Sequence, residues 1–120
     1  MDNRTTTPWG QADQAEVLAE GIISYSTPSH GGIWLSAARQ REIEPVRAKN
    51  WLGSLEWWED DCDWSVPYFF FRADIGARAR NPEEHARAVN AAQDFIRRYQ
   101  LADVANRLLS SPAALAGIPA

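Results

Sequence analysis

The apolar positions of this chain follow two different periods. From residue 86 to residue 108 they recur every three or four residues: Ala86, Val89, Ala92, Ile96 and Tyr99, then Leu101, Val104, Ala105 and Leu108. That spacing predicts amphipathic helix. Asn81-Pro82-Glu83-Glu84 supplies a capping side chain, a proline at the first helical position and carboxylates in the first turn. The helix is therefore expected over residues 82–99, with a separate helix after Gln100. Between residues 12 and 35 the pattern alternates instead, which predicts strands. Residues 22–27 form the best strand, with Ile23, Tyr25 and Thr27 on one face and Ser24 and Ser26 on the other. Residues 15–19 read as a strand or a short helix before it, Glu20-Gly21 as a tight turn, and residues 33–35 as the returning strand. Pro28, Ser29, His30, Gly31 and Gly32 make the hairpin loop, and its glycines are expected to supply positive φ.

The middle of the chain is less regular. Ser36 caps a short helix over residues 37–41, and Pro45 ends it or begins a further turn. Gly53-Ser54 signals a turn, whereas Leu55-Glu56-Trp57-Trp58 fits strand and helix equally. Glu59-Asp60-Asp61 reads as a helix N-terminus, where carboxylates meet open N–H groups and the macrodipole. A buried helix through Trp64, Val66, Tyr68, Phe69, Phe70 and Phe71 would follow. A helix-interior proline costs about 3 kcal/mol, so either this helix starts near Ser65, with Pro67 in its first turn, or it kinks. Residues 1–10 read as a partly ordered tail held by Trp9, residues 11–109 as a single domain and residues 110–120 as a C-terminal tail. The expected fold is α+β: a small three-stranded antiparallel sheet near the N-terminus packed against three or four helices.

Composition narrows the possible functions. A chain of 120 residues suits one domain. No apolar run reaches the roughly 18 residues of a membrane span. Met1-Asp2-Asn3-Arg4 does not open a basic-then-apolar leader, so a cytoplasmic protein of a bacterial cell, with no membrane partner, is expected. One cysteine, Cys62, leaves no internal disulfide and no cysteine-rich zinc site. The net charge of -4 disfavours gripping a phosphate backbone, so direct duplex DNA binding is not expected. Tryptophan is abundant: four of the six, Trp51, Trp57, Trp58 and Trp64, fall within fourteen residues. Eleven of the twelve bases are arginine, a bias that a high-GC genome would also produce.

Several groups of residues carry candidate chemistry. His30-Gly31-Gly32 after a strand can present backbone N–H groups to an oxyanion, although the chain has no G-x-S-x-G to supply the nucleophile. Cys62 beside His30 or His85 would make a thiolate pair, but Glu59, Asp60, Asp61 and Asp63 surround it with negative charge that suppresses thiolate. The spacings of His30, His85, Cys62 and the aspartates match no metal motif, and Asp60, Asp61 and Asp63 lack the glycine and distal glutamate of a calcium loop. No metal and no cofactor are expected. The acidic segment is the most informative. Glu56, Trp57, Trp58, Glu59, Asp60, Asp61 and Asp63 combine carboxylates that can imitate a row of phosphates with indoles that can anchor an interface. Arg72, Arg78, Arg80 and Arg87 form a basic counterpart around a turn.

Three motifs stand out as a set: TPWG from Thr7, STPSHGG from Ser26 and WEDDCDW from Trp58. Over residues 7–71 they resemble a family of small bacterial proteins of unknown function carried on plasmids, phages and integrated elements. The resemblance implies a mobile-element origin and assigns no chemistry to any residue. Small acidic proteins of such elements often antagonise host defence, as anti-CRISPR and antirestriction proteins do. The expected function is thus a non-enzymatic inhibitor whose acidic, Trp-bearing face docks on a host protein or ribonucleoprotein with a basic nucleic-acid-binding surface. The rivals are a small enzyme using His30 at the Gly-Gly turn and an accessory nucleic-acid-binding regulator using residues 72–87.

Overall fold

The computed structural model describes residues 5–111, so the outer parts of both expected tails, residues 1–4 and 112–120, lie outside the described residues. The fold is α+β. A two-stranded hairpin, β1 (Thr6–Thr7) and β2 (Gly10–Gln11), leads into an antiparallel sheet of β3 (Gln14–Ala19), β4 (Ile22–Ser26), β5 (Gly31–Leu35) and β6 (Trp57–Glu59), in that order. Then come α2 (Ser65–Phe70), α3 (Arg72–Arg78), α4 (Pro82–Tyr99) and α5 (Ala102–Leu109), while α1 (Ala37–Ile43) and a 3-10 turn (Glu44–Val46) lie between β5 and β6. Two expectations need correction. The sheet has four strands rather than three, and five α-helices are described rather than three or four.

Strand register decides which side chains enter the core. Ile22 faces Leu35, Ser24 faces Ile33, and Ile33 faces Trp58, so these five residues share one face. Ile22, Ile33, Leu35 and Trp58 are buried there against Val66, Phe69, Phe71, Ile75, Ala92, Ile96 and Leu108 from the helices. The opposite face carries Ile23, Tyr25, Trp34 and Trp57, each half-buried. The β3–β4 turn needs a glycine twice over. Gly21 has a φ of +76°, and a Cβ there would stand 2.5 Å from Ser36 Oγ.

Local chemistry accounts for the starts of α1 and α4. Ser36 accepts from the Arg39 N–H and caps α1, and Asn81 accepts from the Glu84 N–H and caps α4 behind Pro82. Pro67 stands third in α2, where a missing N–H breaks no intrahelical bond, so the helix begins at Ser65 with Pro67 in its first turn. The acidic run is a correction. Glu59 closes β6, residues 60–64 turn, and α2 has no acid in its first turn. Glu59, Asp60 and Asp61 therefore do not serve as a helix N-terminus.

Candidate functional site

The two inner motifs meet in space. Gly32 pairs in register with Glu59, and the Asp60 N–H donates to the Gly31 carbonyl at 2.9 Å. The intervening loop, residues 27–30, is closed by Thr27, whose Oγ1 accepts from the His30 N–H at 3.1 Å and donates to the His30 carbonyl at 2.6 Å. Gly31 and Gly32 lie inside β5, and neither has a positive φ, contrary to expectation. They are small because the backbone is crowded. A Cβ on Gly31 would stand 2.4 Å from the Tyr25 carbonyl oxygen, and one on Gly32 would stand 2.3 Å from that of Trp58. The glycine pair is buried between two partner strands.

The outer motif brings Trp9 onto the opposite sheet face. Thr7 Oγ1 accepts from the Trp9 N–H at 3.1 Å and donates to the Gly10 carbonyl at 2.7 Å, which fixes the tip of the β1–β2 hairpin. Trp9 then meets Trp57 edge-on, with ring centroids 5.8 Å apart, and Tyr25 meets Trp57 at the same distance. Trp34 Nε1 donates to Glu56 at 3.0 Å. Trp9, Tyr25, Trp34 and Trp57 are each half-buried by these contacts.

The residues proposed from sequence for partner binding divide accordingly. Glu56, Asp60 and Asp61 are exposed, Glu59 is half-buried, and Trp57 lies half-buried in the outer aromatic layer. Trp58 is a correction: it is 0% exposed, and its Nε1 donates to the Leu55 carbonyl at 2.8 Å. It is core and cannot touch a partner. Asp63 is half-buried and accepts from the Trp51 N–H at 2.6 Å. That bond identifies a residue the sequence reading missed, because Trp51, 83% exposed, is the indole presented beside the acidic turn. Burial and the neighbouring aspartates raise the carboxyl pKa of Glu59, and burial and Asp61 raise that of Asp63, each against one backbone hydrogen bond that lowers it. Burial and the Asp63 charge likewise push the Cys62 thiol up, against a hydrogen bond with Tyr99.

The secondary candidates also separate. Arg72 is half-buried: its guanidinium lies 4.0 Å from the Phe69 ring centroid and bonds the Phe69 and Ser111 carbonyls, so its role is to hold the helices. Arg78 and Arg80 are exposed and line an open cleft of about 1040 Å³ between the sheet and the start of α4. Inside it, Tyr68 Oη and His85 Nδ1 share a 2.8 Å hydrogen bond. Burial, and then the charges of Glu16 and Glu84, raise the Tyr68 pKa, so the phenol keeps its proton at neutral pH. The imidazole also packs on Gly76, where a Cβ would stand 2.7 Å from Nε2. One histidine thus ties α2, α3 and α4 together. His30 is exposed, and its ring nitrogen lies within 4.8 Å of carboxylate oxygens of Glu59 and Asp61, a proximity no linear spacing signals. No helix among the described residues is long and apolar enough to cross a membrane.

The chain belongs to the DUF7007 family, a domain of unknown function, whose family model matches residues 2–103. That span extends beyond the motifs, through α4 and into α5. No curated protein and no solved structure matches the chain.

Proposed function

Within this family, we propose that the chain is a binding protein whose acidic turn docks on a basic, nucleic-acid-binding surface of a host protein or ribonucleoprotein, with Trp51 as its anchor. One observation carries the reading: Trp51 is 83% exposed, and Asp63 fastens its backbone beside Asp60 and Asp61. A backbone fastened in this way has less freedom to lose on docking, and exposed indoles are among the residues that dominate interface energetics. Carboxylates around it would steer the encounter with a positive groove and compete there with phosphate. The resemblance of the motifs to mobile-element proteins points to a defence complex as the host target.

The test uses bacteria that carry a CRISPR or restriction system and express the chain. Plating of a targeted phage should rise with the wild type and return to baseline with Trp51→Ala and with Asp60→Lys. Both side chains are exposed, so thermal midpoints should move little. Full activity of either variant, or no protection by the wild type, would overturn the proposal. The second reading, a regulator using the arginines, retains only Arg78, Arg80 and Arg87 as exposed groups, and no observation favours it.

A further inference from the structure

We infer that His30, Glu59 and Asp61 bind a divalent first-row transition ion where the β4–β5 loop meets the turn after β6. The ligating atoms of the three side chains all lie within 4.8 Å of one another. With metal–donor bonds of about 2.0–2.2 Å, adjacent donors stand about 3 Å apart and opposed donors about 4.3 Å apart. Small side-chain rotations therefore bring all three onto one ion. The backbone beneath them is already fixed. Gly32 is in register with Glu59, the Asp60 N–H is bonded to Gly31, and the Trp64 N–H donates to the Glu59 carbonyl at 2.8 Å. The crowding at Gly31 and Gly32 is what lets the loop come so close.

Donor chemistry selects the class of ion. An imidazole with two carboxylates suits zinc, manganese, cobalt or ferrous iron. Calcium takes six to eight oxygens, and magnesium keeps most of its waters, so neither is matched by this set. The imidazole distinguishes the cluster from a mere concentration of acid. His30 and Asp61 are exposed, so an ion can enter and keep water on its remaining positions. A bound cation would also relieve the mutual repulsion of the clustered carboxylates. It would pin the loop to the turn.

Calorimetric titration of the full chain with zinc, and separately with manganese, tests the site. One ion per chain should bind with a dissociation constant below about 100 µM. His30→Ala and Asp61→Asn should each weaken binding at least about tenfold, as loss even of a supporting contact does in metal sites. Cys62→Ser and His85→Ala should leave the affinity unchanged. Cobalt provides a second readout: its visible absorption should change in His30→Ala, and manganese should broaden the amide resonances of residues 30 and 59–61 in the wild type. Weaker binding by the wild type, an affinity indifferent to His30, or a loss caused by Cys62→Ser or His85→Ala would each overturn the inference. The reading of Trp51 as an anchor does not depend on any of these outcomes.

Discussion

Replacing Gly32 with alanine would set a Cβ 2.3 Å from the Trp58 carbonyl oxygen and 2.5 Å from Trp9 Cη2. Gly32 lies in β5 between Tyr25 of β4 and Glu59 of β6, and its φ is not positive. Alanine would accept the local backbone conformation, so the whole penalty is steric. The two obstacles differ in how far they can yield. Trp9 sits at the tip of a short hairpin, and its ring can tilt away. The Trp58 carbonyl belongs to the ladder and moves only if β6 moves, which the fully buried Trp58 side chain opposes. Overpacking of this kind destabilises by about 1–3 kcal/mol. At roughly 4 °C per kcal/mol for a domain of this size, Gly32→Ala should lower Tm by about 4–12 °C. Trp9→Ala removes only the yielding obstacle, so the alanine at residue 32 should lower Tm by nearly as much in that background as in the wild type. Circular dichroism melts of the four proteins measure both effects. A Gly32→Ala protein that melts with the wild type would refute the steric account.

Two further outcomes follow from the titrating and hydrogen-bonded groups. Tyr68→Phe removes the 2.8 Å bond to His85, and denaturant unfolding should show a loss of about 0.5–1.5 kcal/mol; it should lose almost nothing in a His85→Ala background, and additive losses would count against the tie between the helices. Glu59 and Asp63 have raised carboxyl pKa values, so the folded chain holds these protons more tightly than the unfolded chain, and stability from these groups rises as pH falls through the folded values toward the unfolded ones. Relative to a Glu59→Gln, Asp63→Asn variant, the wild type should therefore gain stability between pH 7 and pH 4, and a relative loss on acidification would reverse the assignment.

Legibility in the sequence depended on how local each determinant was. The start of α4 could be read directly, because Asn81 and Pro82 act within one turn, and so could the β3–β4 turn at Glu20-Gly21. β6 could not. Leu55-Glu56-Trp57-Trp58 has no period of its own, and only pairing with Ile33 and Trp34 places Trp58 in the core and Trp57 outside. The glycines after His30 look like turn glycines in sequence, since crowding by strands remote in sequence leaves no mark on the local pattern. Trp51 does not stand apart from the other tryptophans in sequence, because an exposed and a buried indole look alike there. What marks Trp51 is the hydrogen bond its N–H donates to a residue twelve positions away.

The acidic turn is where the local signal and the fold part company. Carboxylates beside a helix start would be stabilised by its dipole, yet here they follow a strand and gather in a turn ahead of a helix that has no acid in its first turn. The arrangement raises the Glu59 pKa through like charges as well as burial, so at neutral pH it works against stability. Sequences that fold reliably keep local and global preferences consistent, and departures concentrate at working surfaces. Either proposed occupant, a small cation or a basic partner, would relieve this repulsion. A small cation and a basic partner make different demands on the neighbours. The cation needs the imidazole of His30 and has no use for Trp51, whereas the partner needs the indole of Trp51 and is indifferent to His30. The pair of substitutions His30→Ala and Trp51→Ala therefore separates the two roles within one turn.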